Sequence, residues 1–299
     1  MWAPLAAYDP QVFLMIGDNV YADAETEGAF AEAYEKFGQS KGFVDFRAKT
    51  PVLAVWDDHD YGRNDAGAEY PLKETAKAAM LDFFDVPADS PRRSREGVYD
   101  ARVVGPEGQR VQIILLDTRY FRSQLYPIAP SRYRDHDDPT TTMLGEAQWR
   151  WLAEQLVVPA EVRLLVSSVQ VVSNEHPHER WGVFPHERAR LLALIGETKA
   201  AGVVVLSGDR HRGEVSRLEG SKAGYPIYDL TSSSLNRPMP AQEPNATRIG
   251  ALVNSANFGT IDIVWEGQAH LVLRLHDDAG AVQHETTVAL DELQPRANL

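Results

Sequence analysis

Three strongly apolar runs in this sequence stop abruptly at acidic or histidine-bearing turns. Residues 12–16 lead into Gly17 and Asp18, with Tyr21 and Asp23 close behind. Residues 52–56 lead into Asp57, Asp58, His59 and Asp60, then Arg63, Asn64 and Asp65. Residues 203–207 lead into Gly208, Asp209 and His211. A short apolar run bounded by turn residues reads as a strand buried on both faces. In α/β proteins, ligands collect beyond the carboxyl ends of such strands. The pattern therefore predicts an α/β fold that gathers carboxylates and imidazoles at one sheet edge.

The rest of the chain supports that class. Residues 111–116 and 163–172 are further strand candidates, and helical patterns cover 28–37, 72–84, 146–156 and 187–195. In the third of these, Trp149, Leu152 and Leu156 recur three and four apart, as one helix face requires. Beyond residue 213 come the shorter strand candidates 215–218, 227–230, 259–264 and 270–275, separated by turn residues as in an antiparallel sheet. Neither repeats nor a linker interrupt the pattern, so residues 1–299 read as one domain of sheets covered by helices. Segments 87–95 and 127–141 read as surface loops, with His136 and its flanking aspartates as solvated loop charge.

Composition removes several classes of chemistry. The chain has no cysteine, which excludes disulfides, thiolate ligands and a cysteine nucleophile. Its formal charge of −13 argues against a general nucleic-acid surface but is compatible with a small phosphorylated substrate beside a bound cation. No apolar run approaches the ~18 residues of a membrane span. No secretory leader pattern opens the sequence, so a cytoplasmic location is expected, or a periplasmic or secreted one if a leader precedes it.

Each polar cluster has a bland alternative. Asp18 would cap the following helix, the Asp57–Asp65 segment would be a charged turn, and Arg63 would pair with Asp60 or Asp65. His176 and His178 would be surface residues, Trp181 core, and Ser232–Ser234 polar packing at a strand end rather than a nucleophile. Together, three strand ends bearing Asp or Asp and His are what a two-cation hydrolase needs. One bridging carboxylate holds two cations ~3.5–4 Å apart while the other ligands fix each ion. Arg63 and Asn64 are candidates to hold a phosphate, the arginine through its planar fork.

The stretch "GDNVY" resembles the GDxxY block of the metallophosphoesterase superfamily, as in purple acid phosphatases. "WDDHDYGRNDAG", "LSGDRHRGEV", "ERWGVFPHERARLLALI", "YDLTSSSLN" and "NFGTIDIVW" are similar, in that order, to blocks of its alkaline phosphatase D (PhoD-like) branch. That resemblance implies a four-layer α/β/β/α sandwich with a metal site where two mixed sheets end. It implies phosphomonoester or phosphodiester hydrolysis by a metal-activated hydroxide, with calcium and ferric iron. By position, Asp18 matches the bridging aspartate and Tyr21 the tyrosinate on the ferric ion. Asp58 stands where the superfamily has a ligating asparagine, beside the matching His59, and Asp209 and His211 match the last metal-binding pair. His59, with Asp58, is the candidate catalytic group, able to protonate the leaving oxygen or bind the equatorial oxygens.

The usual histidine after the middle strand is replaced by "VSSVQVV", which offers Ser168 and Gln170. The branch also carries an initial strand with a cysteine at the ferric site. This sequence opens on "MWAPLAAYDPQ", similar to the helix after that strand, so either the start is internal to a longer chain or this branch functions without the first strand, and another divalent metal becomes possible. A catalytically inactive domain that binds a phosphorylated ligand or a partner is the alternative. Substrate identity and oligomeric state are not encoded in these motifs.

Overall fold

The computed structural model describes residues 1–295. Its centre is a mixed seven-stranded sheet. Four parallel strands form the middle: β4 (Val111–Leu115), β7 (Val162–Val166), β8 (Val203–Ser207) and β10 (Ile227–Ser232). Antiparallel neighbours flank them, β3 (Asp100–Val104) beside β4, then β9 (Gly213–Leu218) and β11 (Arg248–Val253) beyond β10. Every residue of β7 and β8 is buried, in keeping with sequences that are apolar except for Arg163 and Ser207.

The second sheet is divided. β1 (Phe13–Ile16) and β2 (Val52–Val55) form a parallel pair, with Ile16 opposite Val55. β12 (Asn257–Val264), β13 (His270–Asp277) and β14 (Val282–Ala289) form an antiparallel meander. The α/β class and mixed sheet expected from the sequence are present, and this second sheet is in two pieces. Among the described residues nothing pairs between β1 and β12. Helix α1 (Trp2–Tyr8) opens the chain as anticipated. One apolar cluster runs from Met15 to Leu293.

Several local expectations need correction. The run 163–172 leaves strand geometry after Val166. Ser167 Oγ donates to the Val169 carbonyl at 2.7 Å and Ser168 Oγ to Asp57 Oδ1 at 2.6 Å, so the buried polar groups dictate a turn instead. Segment 87–95 contains a short helix, Pro91–Ser94, because Ser90 Oγ accepts from the Arg92 amide and proline occupies the first turn. Segment 127–141 contributes to a hairpin of β5 (Tyr126–Ala129) and β6 (Arg132–Arg134). His136 is not solvated loop charge: it is 2% exposed, stacked on Phe184 at 4.2 Å with Tyr126 at 4.3 Å. His176 is likewise buried, its Nε2 at 2.9 Å from Gln170 Oε1. Trp181 is core, as expected, and donates to Ser167 Oγ at 2.9 Å.

Candidate metal centre

The three strand ends converge. Because β1 and β2 are parallel and in register, Asp18 and Asp57 leave the sheet side by side. Gly17 makes this possible: at φ 121° it tolerates a conformation side chains rarely adopt, and a Cβ there would lie 2.4 Å from Asp57 Cβ. β8 ends close by, with the Gly208 amide donating to the Ser168 carbonyl at 2.8 Å. Asp18, Asp209 and His211 all take left-handed backbone conformations, at φ 50°, 62° and 53°. Such conformations are costly away from glycine, and here they aim side chains inward from the strand ends.

Tyr21 joins the first and third clusters. Its hydroxyl donates to Asp18 Oδ2 at 3.0 Å and lies 2.9 Å from His211 Nε2, while that nitrogen is 3.5 Å from Asp18 Oδ2. Ligand atoms of Asp18, Asp58 and His59 lie within 4.8 Å of one another, and so do those of Asp57, Asp58 and Asp209. Asp58 belongs to both groups. His59 packs on the Tyr21 ring at 4.3 Å, and its Nδ1 is tied to the Asp23 carboxylate.

The surroundings of these carboxylates shift them in different directions. Burial pushes Asp57 well above the usual carboxylate range, against the pull of Arg119. Burial, then the neighbouring Asp58, raises Asp18, and burial raises Asp209 to about 6 although Arg210 opposes it. At Asp58 burial is outweighed by Arg119, His59 and the Asp65 amide, and its pKa falls. At His59 burial is outweighed by Asp58, Asp18 and Asp23, and its pKa rises.

The donor set fits hard cations. Asp18 Oδ1 and Asp57 Oδ2 are buried with no hydrogen-bond partner among the described residues, a costly state for isolated carboxylate oxygens. Four aspartates and a phenol supply mostly oxygen, with two imidazoles as minority nitrogen donors.

Not every acid at a strand end belongs to the site. Asp60 turns back, accepting from the Asp57 amide at 2.6 Å in a capping box over Asp58–Tyr61. Asp117, after β4, is structural, accepting from Trp56 Nε1 at 2.8 Å and from the Val98 amide at 2.9 Å. Arg63 and Asn64 are exposed on the turn after the Asp58–Tyr61 helix. The Arg63 guanidinium sits 5.7 Å from the Tyr70 ring centre rather than pairing with Asp60 or Asp65. Ser168 holds Asp57, while Gln170 Nε2 donates to Glu214 Oε1 at 2.7 Å.

Sequence reasoning missed four residues here. Asp57 shares the strand end with Asp58, and that adjacency was the available signal. Arg119 is fully buried, donating through Nε to Asp57 Oδ1 and through Nη1 to Glu179 Oε2, both at 2.5 Å. Glu179 also pairs with Arg122 at 2.9 Å. Arg237 lies 3.6 Å above the centre of the Tyr21 ring. No local pattern marked Arg119, Glu179 or Arg237.

The family model for PhoD-like phosphatases matches residues 1–286. The chain belongs to that family. As a PhoD-like phosphatase it shares its fold with solved relatives. The structure titled "Structure of PhoD" superposes with a TM-score of 0.71 at 17% identity, covering 96% of this chain and 69% of that one. GAP50, described as the anchor in the inner membrane complex of Plasmodium, gives 0.60 at 13% identity, covering 97% of this chain and 81% of that one. No curated protein matches the sequence significantly. No helix among the described residues of this PhoD-like chain is long and apolar enough to cross a membrane.

Proposed function

We propose that this chain hydrolyses phosphate esters where β1, β2 and β8 end, with cations held by Asp18, Asp57, Asp58 and Asp209 and flanked by Tyr21 and His211. The observation that carries this reading is the pair of buried, unpartnered carboxylate oxygens, Asp18 Oδ1 and Asp57 Oδ2, at adjacent strand ends. Calcium with ferric iron suits the set: phenolate oxygen and imidazole serve the trivalent ion, carboxylates the calcium. Bound there, such ions acidify a water and supply positive charge to phosphoryl oxygens. His59 is fixed through Nδ1 by Asp23, which leaves Nε2 to hand a proton to the leaving oxygen. Arg237, on the exposed rim above Tyr21, with Arg63 and Asn64 on the neighbouring turn, supplies donors for the ester's anionic oxygens. Arg119 holds Asp57 in place from behind.

The test is to load the purified chain with calcium and ferric iron, remove the excess, and assay p-nitrophenyl phosphate and bis(p-nitrophenyl) phosphate. About two retained ions per chain are expected, with turnover that falls ~100-fold or more in Asp209→Asn. Retained ions without turnover of any ester would make this a phosphate-binding domain rather than an enzyme. Full turnover in the Asp18→Asn, Asp209→Asn double variant would overturn the site.

A further inference from the structure

A second cluster of charge lies beside the candidate metal centre, on the turn that carries Asp209 and His211. Arg210 and Arg212 alternate with those two residues, and their side chains converge on Glu243. Arg210 donates to both Glu243 oxygens, through Nη2 to Oε1 and through Nε to Oε2 at 3.4 Å. Its Nη1 reaches Asp209 Oδ2 at 3.3 Å. Arg212 Nη2 lies 3.3 Å from the same Glu243 Oε1. The Arg212 side chain is 1% exposed, and among the described residues Glu243 is the only carboxylate within ion-pair distance of it. His178 Nε2 stands 3.6 Å from Oε1, but its Nδ1 faces the Ser131 carbonyl at 2.7 Å and holds the ring proton there. The two guanidiniums are therefore what holds the anion.

Glu243 arrives from a long irregular loop. Residues 233–247, between β10 and β11, form neither helix nor strand, and residues 236–242 are all exposed. Connections of this length without structure of their own are uncommon in compact folds and usually serve binding or gating. The loop crosses the candidate metal centre: Arg237 sits on the Tyr21 ring, and the Met239 amide donates to the His211 carbonyl at 2.9 Å. Glu243 is the only charged residue between Arg237 and Arg248. The backbone around it is fixed without its carboxylate, by Arg212 Nη1 on the Ala241 carbonyl at 3.0 Å and by Arg248 Nη2 on the Glu243 carbonyl at 2.8 Å. The loop has other anchors, whereas a buried guanidinium stripped of its anion is costly.

Two arginine forks closing on one oxyanion beside a metal-binding carboxylate suit a phosphate better than the carboxylate that stands there. A phosphate presents three oxygens to the forks where a carboxylate presents two, and it carries more charge. We propose that Arg210 and Arg212 form a second anion site next to the candidate metal centre, that it takes the remote phosphate of an ester bearing two phosphate groups, and that Glu243 caps it when no such ester is bound. The cap turns aside as a side chain while the loop backbone stays anchored. Because one guanidinium spans Asp209 and Glu243, the remote phosphate rests a single side chain's width from Asp209. A doubly phosphorylated ester is thereby favoured over a simple one. The anion site rests on the arginine geometry alone, and its use by an ester rests on the phosphoesterase reading.

The first probe is inorganic phosphate, titrated by calorimetry into the full chain with the ions it retains. Glu243→Gln keeps the shape of the cap and removes its charge. Phosphate is expected to bind about tenfold or more tighter in this variant than in the parent, where the tethered carboxylate competes for the arginines. Adding Arg212→Met to Glu243→Gln should abolish that gain, and it leaves neither member of that pair buried alone. Folding of Glu243→Gln only when phosphate replaces chloride at equal ionic strength would support the site as well. Equal phosphate affinity in parent and Glu243→Gln, a gain that survives Arg212→Met, or failure to fold in either salt would each overturn it. The second probe is a series of alkane bisphosphates with linkers of about three to six carbons, set against the matching alkyl monophosphates. For at least one linker kcat/KM is expected to favour the bisphosphate about tenfold, and the preference should vanish in Arg212→Met. A parent with no preference at any linker, or a preference untouched by Arg212→Met, would overturn the site's use by an ester. If no ester of either kind is turned over, the phosphoesterase reading fails and the ester assignment fails with it, while the phosphate titration still decides the anion site.

Discussion

Asp57 and Asp58 are adjacent in the chain, both buried, and shifted in opposite directions. Burial dominates at Asp57, whereas Arg119, His59 and the Asp65 amide overcome it at Asp58. Arg119 is the group both depend on, and its removal would leave Asp57 buried without its cation while Glu179 kept only Arg122. Arg119→Met is therefore expected to cost about 3–5 kcal/mol in urea denaturation, the typical penalty for breaking one side of a buried ion pair. His176 gives a prediction with a pH sign. Burial, reinforced by Arg210, Arg180 and His178, lowers its pKa from 6.5 to about 2. The unfolded chain then binds a proton that the folded chain excludes. Its contribution is intact above the unfolded value, ~6.5, and stability is lost as pH falls below it. Between pH 7.5 and 5.5 the parent chain should lose about 1.4 kcal/mol more than His176→Asn, as measured by urea denaturation at each pH. An equal loss in both would mean that His176 is protonated when folded.

At the scale of elements, the strand ends carry the design. β1, β2 and β8 were legible because each is a contiguous apolar run followed by turn residues, a local signal. The break after Val166 was not legible, because Ser167 and Ser168 leave strand geometry to reach Val169 and Asp57, and Asp57 is distant in sequence. Gly17 links these elements at the point of closest approach. Gly17→Ala places a methyl 2.4 Å from Asp57 Cβ, at a positive φ, so about 1–3 kcal/mol of destabilisation is expected. Because the same clash displaces Asp57, ion retention by elemental analysis should fall together with thermal stability. Loss of stability with unchanged ion retention would separate Asp57 from the cation set.

At the scale of the whole molecule, cation binding and folding are linked. The acidic ends of β1, β2 and β8 come together only in the folded chain, and two buried oxygens among them lack partners. Ions present at ~100 times their dissociation constant would stabilise the chain by about 2.7 kcal/mol, visible as a rise in Tm that chelation reverses. The Asp18→Asn, Asp209→Asn double variant should show no such rise. A rise of equal size in that variant would place the stabilising ions elsewhere.

By itself the sequence determined the α/β class, the three acidic strand ends and the family resemblance, because apolar runs, turn residues and motif blocks are local in the chain. Asp18, Tyr21, Asp58, His59, Asp209 and His211 were all visible in that way. Only the tertiary structure decided which neighbours surround them. Arg119 meets Asp57 across 62 positions and Glu179 across 60, while Tyr21 meets His211 across 190. Strand pairing and burial are long-range outcomes, so no local pattern could announce them.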